Sequence, residues 1–99
     1  MFDINKLNSD LWLALDNNKD FFKQELYREL CEEHILYGIQ VKELARREDR
    51  DDVLFLLLDS SNRYAVVHLT WTGKEEKNSY FPATRLYSNF TDVINANNY

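Results

Sequence analysis

Glycine occurs only twice among the 99 residues of this chain, proline once, cysteine once and histidine twice. A single cysteine, Cys31, cannot close a disulfide within the chain or build a cysteine zinc cluster. It stands among Glu29, Glu32 and Glu33, whose negative field opposes thiolate chemistry, so it reads as a buried structural residue. With so little glycine and proline, turn formation falls to asparagine, at Asn17-Asn18, Asn62 and Asn97-Asn98. No apolar run approaches the length of a bilayer span. Residues Met1 to Lys6 show no basic segment leading into an apolar core, as a secretory signal would. The expectation is a soluble cytoplasmic chain with no membrane contact.

Basic residues are also in deficit. Twelve Lys and Arg face 17 Asp and Glu, for a net charge of −5. The excess is concentrated in residues 1–38, where Asp3, Asp10, Asp16, Asp20, Glu25, Glu29, Glu32 and Glu33 face Lys6, Lys19, Lys23 and Arg28. An acidic surface repels phosphate backbones, which argues against nucleic acid as a partner. It suits a partner protein with a basic surface, because opposite fields speed encounter. Mild acidity that only keeps a small protein soluble is the plainer alternative.

What the chain has in quantity is apolar and aromatic residues, at 44% and 14% of its length. That is ample for one core, and 99 residues make one domain, residues 1–99. The clearest pattern lies between residues 52 and 71. Asp52 to Asp59 is apolar at every interior position, as a strand covered on both faces would be. After Ser60-Ser61-Asn62, Ala65, Val67, Leu69 and Trp71 alternate with Tyr64, Val66, His68 and Thr70. This is a β-hairpin. A preceding strand is expected over 39–47, with Ile39, Val41 and Ala45 on one face and Leu44 on the other. Upstream, Ile4, Leu7, Leu11 and Leu15 recur at helical spacing and predict a helix over 4–16. Phe22, Leu26 and Leu30 predict a second from about Lys19 to Glu33, with Asn18 as its cap. Pro82 argues against a central strand near it. Phe90, Val93 and Ile94 mark a short last helix. The fold class is therefore α+β, with two N-terminal helices on a three-stranded antiparallel meander and a short C-terminal helix. The second face of the central strand must be covered by the C-terminal segment or by a second copy of the chain, as in a homodimer.

Chemistry-bearing residues are few. His68 shares a strand face with Tyr64 and Thr70, and convergence of Arg47, Asp52 or Tyr80 on it would make an acid–base or ligand site. In that site Arg47 is the anion contact. No nucleophile motif accompanies it, and a histidine bonded to a neighbour is the simpler account. Asp49, Asp51 and Asp52 lack the glycine of a calcium loop, and no metal or other cofactor is expected. Trp71, Tyr80 and Tyr87 are candidates for an aromatic anchor at a protein interface.

The residues Leu44-Ala-Arg-Arg47, Asp51-Asp-Val-Leu-Phe55, Ala65-Val-Val-His-Leu-Thr-Trp71, Gly73-Lys74-Glu75 and Phe81-Pro-x-Thr84 resemble a family of small bacterial proteins without a characterised activity. The resemblance spans about residues 34 to 90 and implies a compact domain of bacterial or phage origin, with no catalytic residue to carry over. Two functions are consistent with these patterns. One is a non-catalytic acidic protein-binding module, such as an immunity-type or phage counter-defence inhibitor. The other is a small-ligand-binding protein or minor enzyme with a pocket at His68.

Overall fold

The computed structural model describes residues 2–15 and 20–97. Five antiparallel strands form one meander sheet in chain order: β1 (Trp12–Ala14), β2 (Val41–Arg47), β3 (Asp52–Leu57), β4 (Tyr64–His68) and β5 (Ala83–Tyr87). Helix α1 (Phe21–Glu29) lies between β1 and β2, and α2 (Phe90–Asn97) follows β5. The expected arrangement of two N-terminal helices on three strands is thus corrected at both ends of the chain.

The first expected helix does not form. Asp3 caps a 3-10 turn over Ile4–Lys6, its side chain accepting from Asn5 N–H at 3.0 Å. Asn8 then folds back to accept from Asp10 N–H at 2.9 Å, and the chain continues as β1. Asn, Ser and Asp side chains offer the backbone such local alternatives to helix. The apolar stripe splits as a result. Ile4, Leu7 and Leu11 pack on one face of the sheet, while Leu15 packs on the other. Asn17 and Asn18, expected to end one helix and cap the next, lie outside the described residues. Helix α1 itself stops at Glu29, because Leu30 is already extended and Leu30 N–H closes on Leu26 at 3.2 Å.

Strand β5 is not among the three expected strands, and Pro82 precedes it directly. As the edge strand, paired only with β4, it tolerates a proline at its entrance. The β3–β4 hairpin matches expectation, with Ser60 and Asn62 both in the left-handed region of the turn. Gly38, at φ +80°, turns the chain towards β2.

The sheet is covered on both faces. On one face Leu26 of α1, with Leu30 just beyond it, packs against Val41, Val53, Phe55, Ala65 and Val67. On the other, Phe90 and Val93 of α2 join Leu7 and Trp12 against Ala45, Leu54, Tyr64 and Val66. The C-terminal segment, with the N-terminal segment beside it, therefore covers the second face of β3. The indole Nε1–H of Trp12 donates to the Asn97 carbonyl at 2.9 Å and ties β1 to the end of α2.

One irregularity matters for function. The β2–β3 register slips between Glu43 and Ala45, so that Leu44 is an extra residue in its strand. Such a bulge puts two successive side chains on one face and shifts the phase of those that follow. Leu44 and Ala45 both enter the α2-side core, which corrects the expectation that Ala45 would share a face with Val41. Downstream, Arg47 is carried to the α2 side, where its guanidinium lies over the Trp12 ring at 5.8 Å.

Candidate functional site

On the α2 side, the ends of β3, β4 and β5 form the floor of a groove. Cross-strand pairing places Asp52 opposite His68, and His68 opposite Ala83. Side chains directly opposite in a sheet share a face, so Asp52 and His68 meet. His68 Nδ1 lies 2.8 Å from Asp52 Oδ1. A carboxylate there accepts from Nδ1–H and leaves Nε2 as the free ring nitrogen. Asp52 is mostly covered, whereas the His68 side chain is about half exposed.

The walls are basic. Arg47, Arg50 and Arg85 line the groove with Asp52, His68, Thr84, Tyr87 and the last residues of α2, around a volume of about 390 Å³. Arg47 is nearly buried and donates from Nε and Nη2 to the two oxygens of Asp49, at 2.9 and 3.0 Å. That fork holds the Asp49 carboxyl below its ordinary pKa, with the hydrogen bonds from Arg47 as the main cause. Arg50 bridges loosely to Asp49 and Asp52, at 3.9 and 3.8 Å. Arg85 is exposed and makes no ion pair among the described residues. The groove thus collects three guanidinium groups and an imidazole around one lining carboxylate, in a protein whose net charge is −5. The hydroxyl of Thr84 is committed to the Pro82 carbonyl at 2.9 Å.

Among the residues singled out from sequence, His68, Arg47 and Tyr87 come together here. The others do not. Tyr64 faces the same side four residues earlier in β4, but it is buried in the core with its ring 5.7 Å from Phe90. Burial pushes its phenol above the usual pKa. Thr70 and Trp71 lie beyond β4, where their N–H groups donate to Glu29 on α1. Trp71 packs against Phe21 and Phe22, at ring distances of 5.7 and 5.6 Å. Tyr80 stands on the β4–β5 loop, 80% exposed and away from the groove. An anchor made of Trp71, Tyr80 and Tyr87 therefore does not assemble.

Arg50, Arg85 and the end of α2 were missed as groove residues. Arg85 had a signal in the sequence, since it alternates with Thr84 and Leu86 as a strand residue does. That signal had no value until β5 was placed beside β4. Asp52, named as a residue that could converge on His68, pairs with it and bridges loosely to Arg50. His34, the other histidine, is buried. Its Nδ1 accepts from Leu36 N–H at 3.0 Å and its Nε2–H reaches the Pro82 carbonyl at 2.9 Å, so both ring nitrogens are used in holding loops. Among the described residues no group of three potential metal ligands converges, and no helix is long and apolar enough to cross a membrane.

Comparison with protein families, with curated proteins and with solved structures yields no match for this chain.

Proposed function

We propose that this protein binds a small anionic ligand, carrying a phosphate or carboxylate group, in the His68 groove. The observation that carries this is the convergence of Arg47, Arg50 and Arg85 with the Asp52–His68 pair on one concave surface of an acidic protein. Guanidinium groups suit such anions because their forked N–H donors match two oxygens at once. Arg85 is the group best able to receive the ligand, since Arg47 is engaged by Asp49. His68 adds a ring nitrogen that accepts a ligand hydroxyl when neutral or donates to an anion when protonated. Binding is favoured over covalent catalysis, because Thr84 pairs with Val67 on the opposite sheet face and its hydroxyl is committed to the Pro82 carbonyl.

The test is a titration of the ¹⁵N-labelled protein with inorganic phosphate at low ionic strength. Saturable shifts are expected at Asp52, His68, Thr84 and Arg85, and Arg85→Ala is expected to weaken binding about tenfold or more, as loss of a charge-assisted contact does. Shifts that never saturate, or that Arg85→Ala leaves unchanged, overturn the assignment.

A second function, docking of a basic partner protein without catalysis, as in an immunity-type inhibitor, is supported by a different surface. Phe21 and Trp71 lie ring against ring, tilted by 33° at 5.7 Å, yet are 57% and 38% exposed. Aromatic residues of this kind anchor interfaces. A partner retained from bacterial lysate at low salt, released at high salt and lost with a Phe21→Ala/Trp71→Ala protein is the expected result. Retention indifferent to those substitutions argues against it.

A further inference from the structure

The two buried carboxylates of α1 have no part in the groove, and their placement is unusual. Glu25 and Glu29 stand one helical turn apart, 2% and 0% exposed. They face the loop that leaves β4. Glu29 accepts Thr70 N–H on one oxygen and Trp71 N–H on the other, both at 2.9 Å. Glu25 accepts Gly73 N–H at 3.0 Å on one oxygen and the Arg28 guanidinium at 2.9 Å on the other. Successive backbone N–H groups turned inward make a natural cradle for a carboxylate. Trp71 adopts φ +59° to complete it, a left-handed conformation that a bulky residue rarely takes.

From this geometry we infer that Glu25 and Glu29 form a proton-dependent latch on the 70–76 loop, closed when the pair shares one proton and loosened at Gly73 when both are ionised. Two buried carboxylates one helical turn apart repel each other when both are ionised, and a proton on one of them relieves the repulsion. With one proton the pair carries a single negative charge, matched by Arg28. With none, two negative charges face one cation.

The pair then separates at its weaker member. Glu29 is held by two backbone N–H groups at its oxygens, and its own carbonyl accepts Glu76 N–H at 2.9 Å. Glu25 is held by one backbone N–H and by Arg28, whose side chain is half exposed and free to follow it into water. Glu25 therefore swings out and releases Gly73, while Thr70 and Trp71 stay on Glu29.

The other charged groups around the pair do not supply a second cation at the contact. On the loop, Glu76 is occupied by the hydroxyls of Thr70 and Thr72, at 2.9 and 3.0 Å, and adds negative field. Lys74 contributes its carbonyl to Thr72 Oγ1. From β2, Glu43 accepts Lys23 N–H at 2.8 Å. Arg46, Arg47, Arg50, Asp51 and Asp52 line the small pocket beneath Trp71 and Phe22, three cations to two acids, and the ion pairs of Arg47 and Arg50 run to Asp49 and Asp52. The pair divides its titration accordingly. Burial, and then the contact with Glu25, pushes Glu29 up to about 7, while its bond to Glu29, and then Gly73 and Arg28, lowers Glu25.

The experiment is a pH series of ¹⁵N spectra and amide-exchange protection factors on the full chain, corrected for intrinsic exchange. Gly73 protection is expected to fall tenfold or more between pH 5.5 and 8.5, with Val67 unchanged as a reference. Glu25→Gln keeps an acceptor for Gly73 and gives Glu29 a permanent donor, so its Gly73 amide should be constant over that range. A pH-independent Gly73 in the natural protein, or the same transition in Glu25→Gln, overturns the latch. Should that variant fail to fold, ¹³C titration of the side-chain carboxyls in the natural protein decides. A carboxyl step near neutrality supports the latch, and two steps in the ordinary carboxylate range overturn it.

Discussion

At the scale of single residues, the two histidines show how hydrogen-bond accounting separates a structural group from a functional one. His34 is buried with both ring nitrogens committed to backbone groups, so its loss would orphan the Leu36 N–H, while the Pro82 carbonyl would keep the Thr84 hydroxyl. His68 commits one nitrogen to Asp52 and keeps the other for the groove. No feature of the sequence around either residue distinguishes them, since the partners of His34 include Pro82, 48 positions away. The phosphate titration is read at this scale, because Arg85 and His68 act as individual contacts. Glu25 and Glu29 make the opposite point. In sequence they belong to an acidic helical surface suited to steering a basic partner. In the fold they are buried against the 70–76 loop, which removes two of the eight acids of residues 1–38 from that surface.

At the scale of elements, local chemistry decided the N-terminal region and the bulge decided the groove. Residues 4–15 have the spacing of a helix, but Asp3, Asn8 and Asp10 spend their side chains and backbone on turns, and the apolar residues are divided between two faces. Strand β1 is short and depends on what it touches. Trp12→Phe keeps the ring in the core and removes the indole N–H bond to Asn97, at an expected cost of about 1 kcal/mol. Faster amide exchange in the last turn of α2, with the midpoint of urea unfolding only slightly lowered, is the outcome to look for. Unchanged exchange there would show that the tie does not hold α2. The bulge at Leu44 has a wider effect. Without the extra residue, strict alternation would put Arg47 on the face of Val41, beneath α1, rather than over Trp12 and beside His68.

At the scale of the whole molecule, the two-sided core leaves the sheet faces no need of a second chain, since α2 and the N-terminal segment occupy the surface that a homodimer would have used. Global stability should carry the signature of the buried carboxyl pair. Glu29 is raised from 4.5 to about 7 in the folded protein, so the unfolded chain loses its proton first as pH increases. Stability present below about pH 4.5 is then lost as pH rises towards 7. Glu25, lowered chiefly by its bond to Glu29, works in the opposite sense, but its contribution changes only below about pH 4.5. Asp49 and Asp59 are also lowered, by Arg47 and by Ser61 respectively, and their contributions disappear only as pH falls below the ordinary carboxylate range. Urea unfolding should therefore show greater stability at pH 5 than at pH 7.5, by on the order of 1–2 kcal/mol. Glu25→Gln should flatten that slope. A stability that rises over the same interval would contradict that sign.

The β3–β4 hairpin, the turn at Ser60 to Asn62, the body of α1 and the C-terminal helix were legible from the sequence because each rests on interactions between near neighbours: alternation, helical spacing and turn-forming side chains. The closeness of Arg47, Asp52 and His68 was also within reach, since adjacent antiparallel strands bring them together. Tertiary structure alone decided the rest. Pairing with β4 turned residues 83–87 into an edge strand, and pairing with β2 turned residues 12–14 into another. One surplus residue in β2 chose the face on which Arg47 emerges. The meeting of α1 with the chain beyond β4 made a buried carboxyl pair from two apparently solvated glutamates. The strand pairings and the carboxyl pair join partners 15 to 48 positions apart, and the bulge is set by register against β3, where the strength of a backbone bond or of a buried charge depends on packing that no local pattern records.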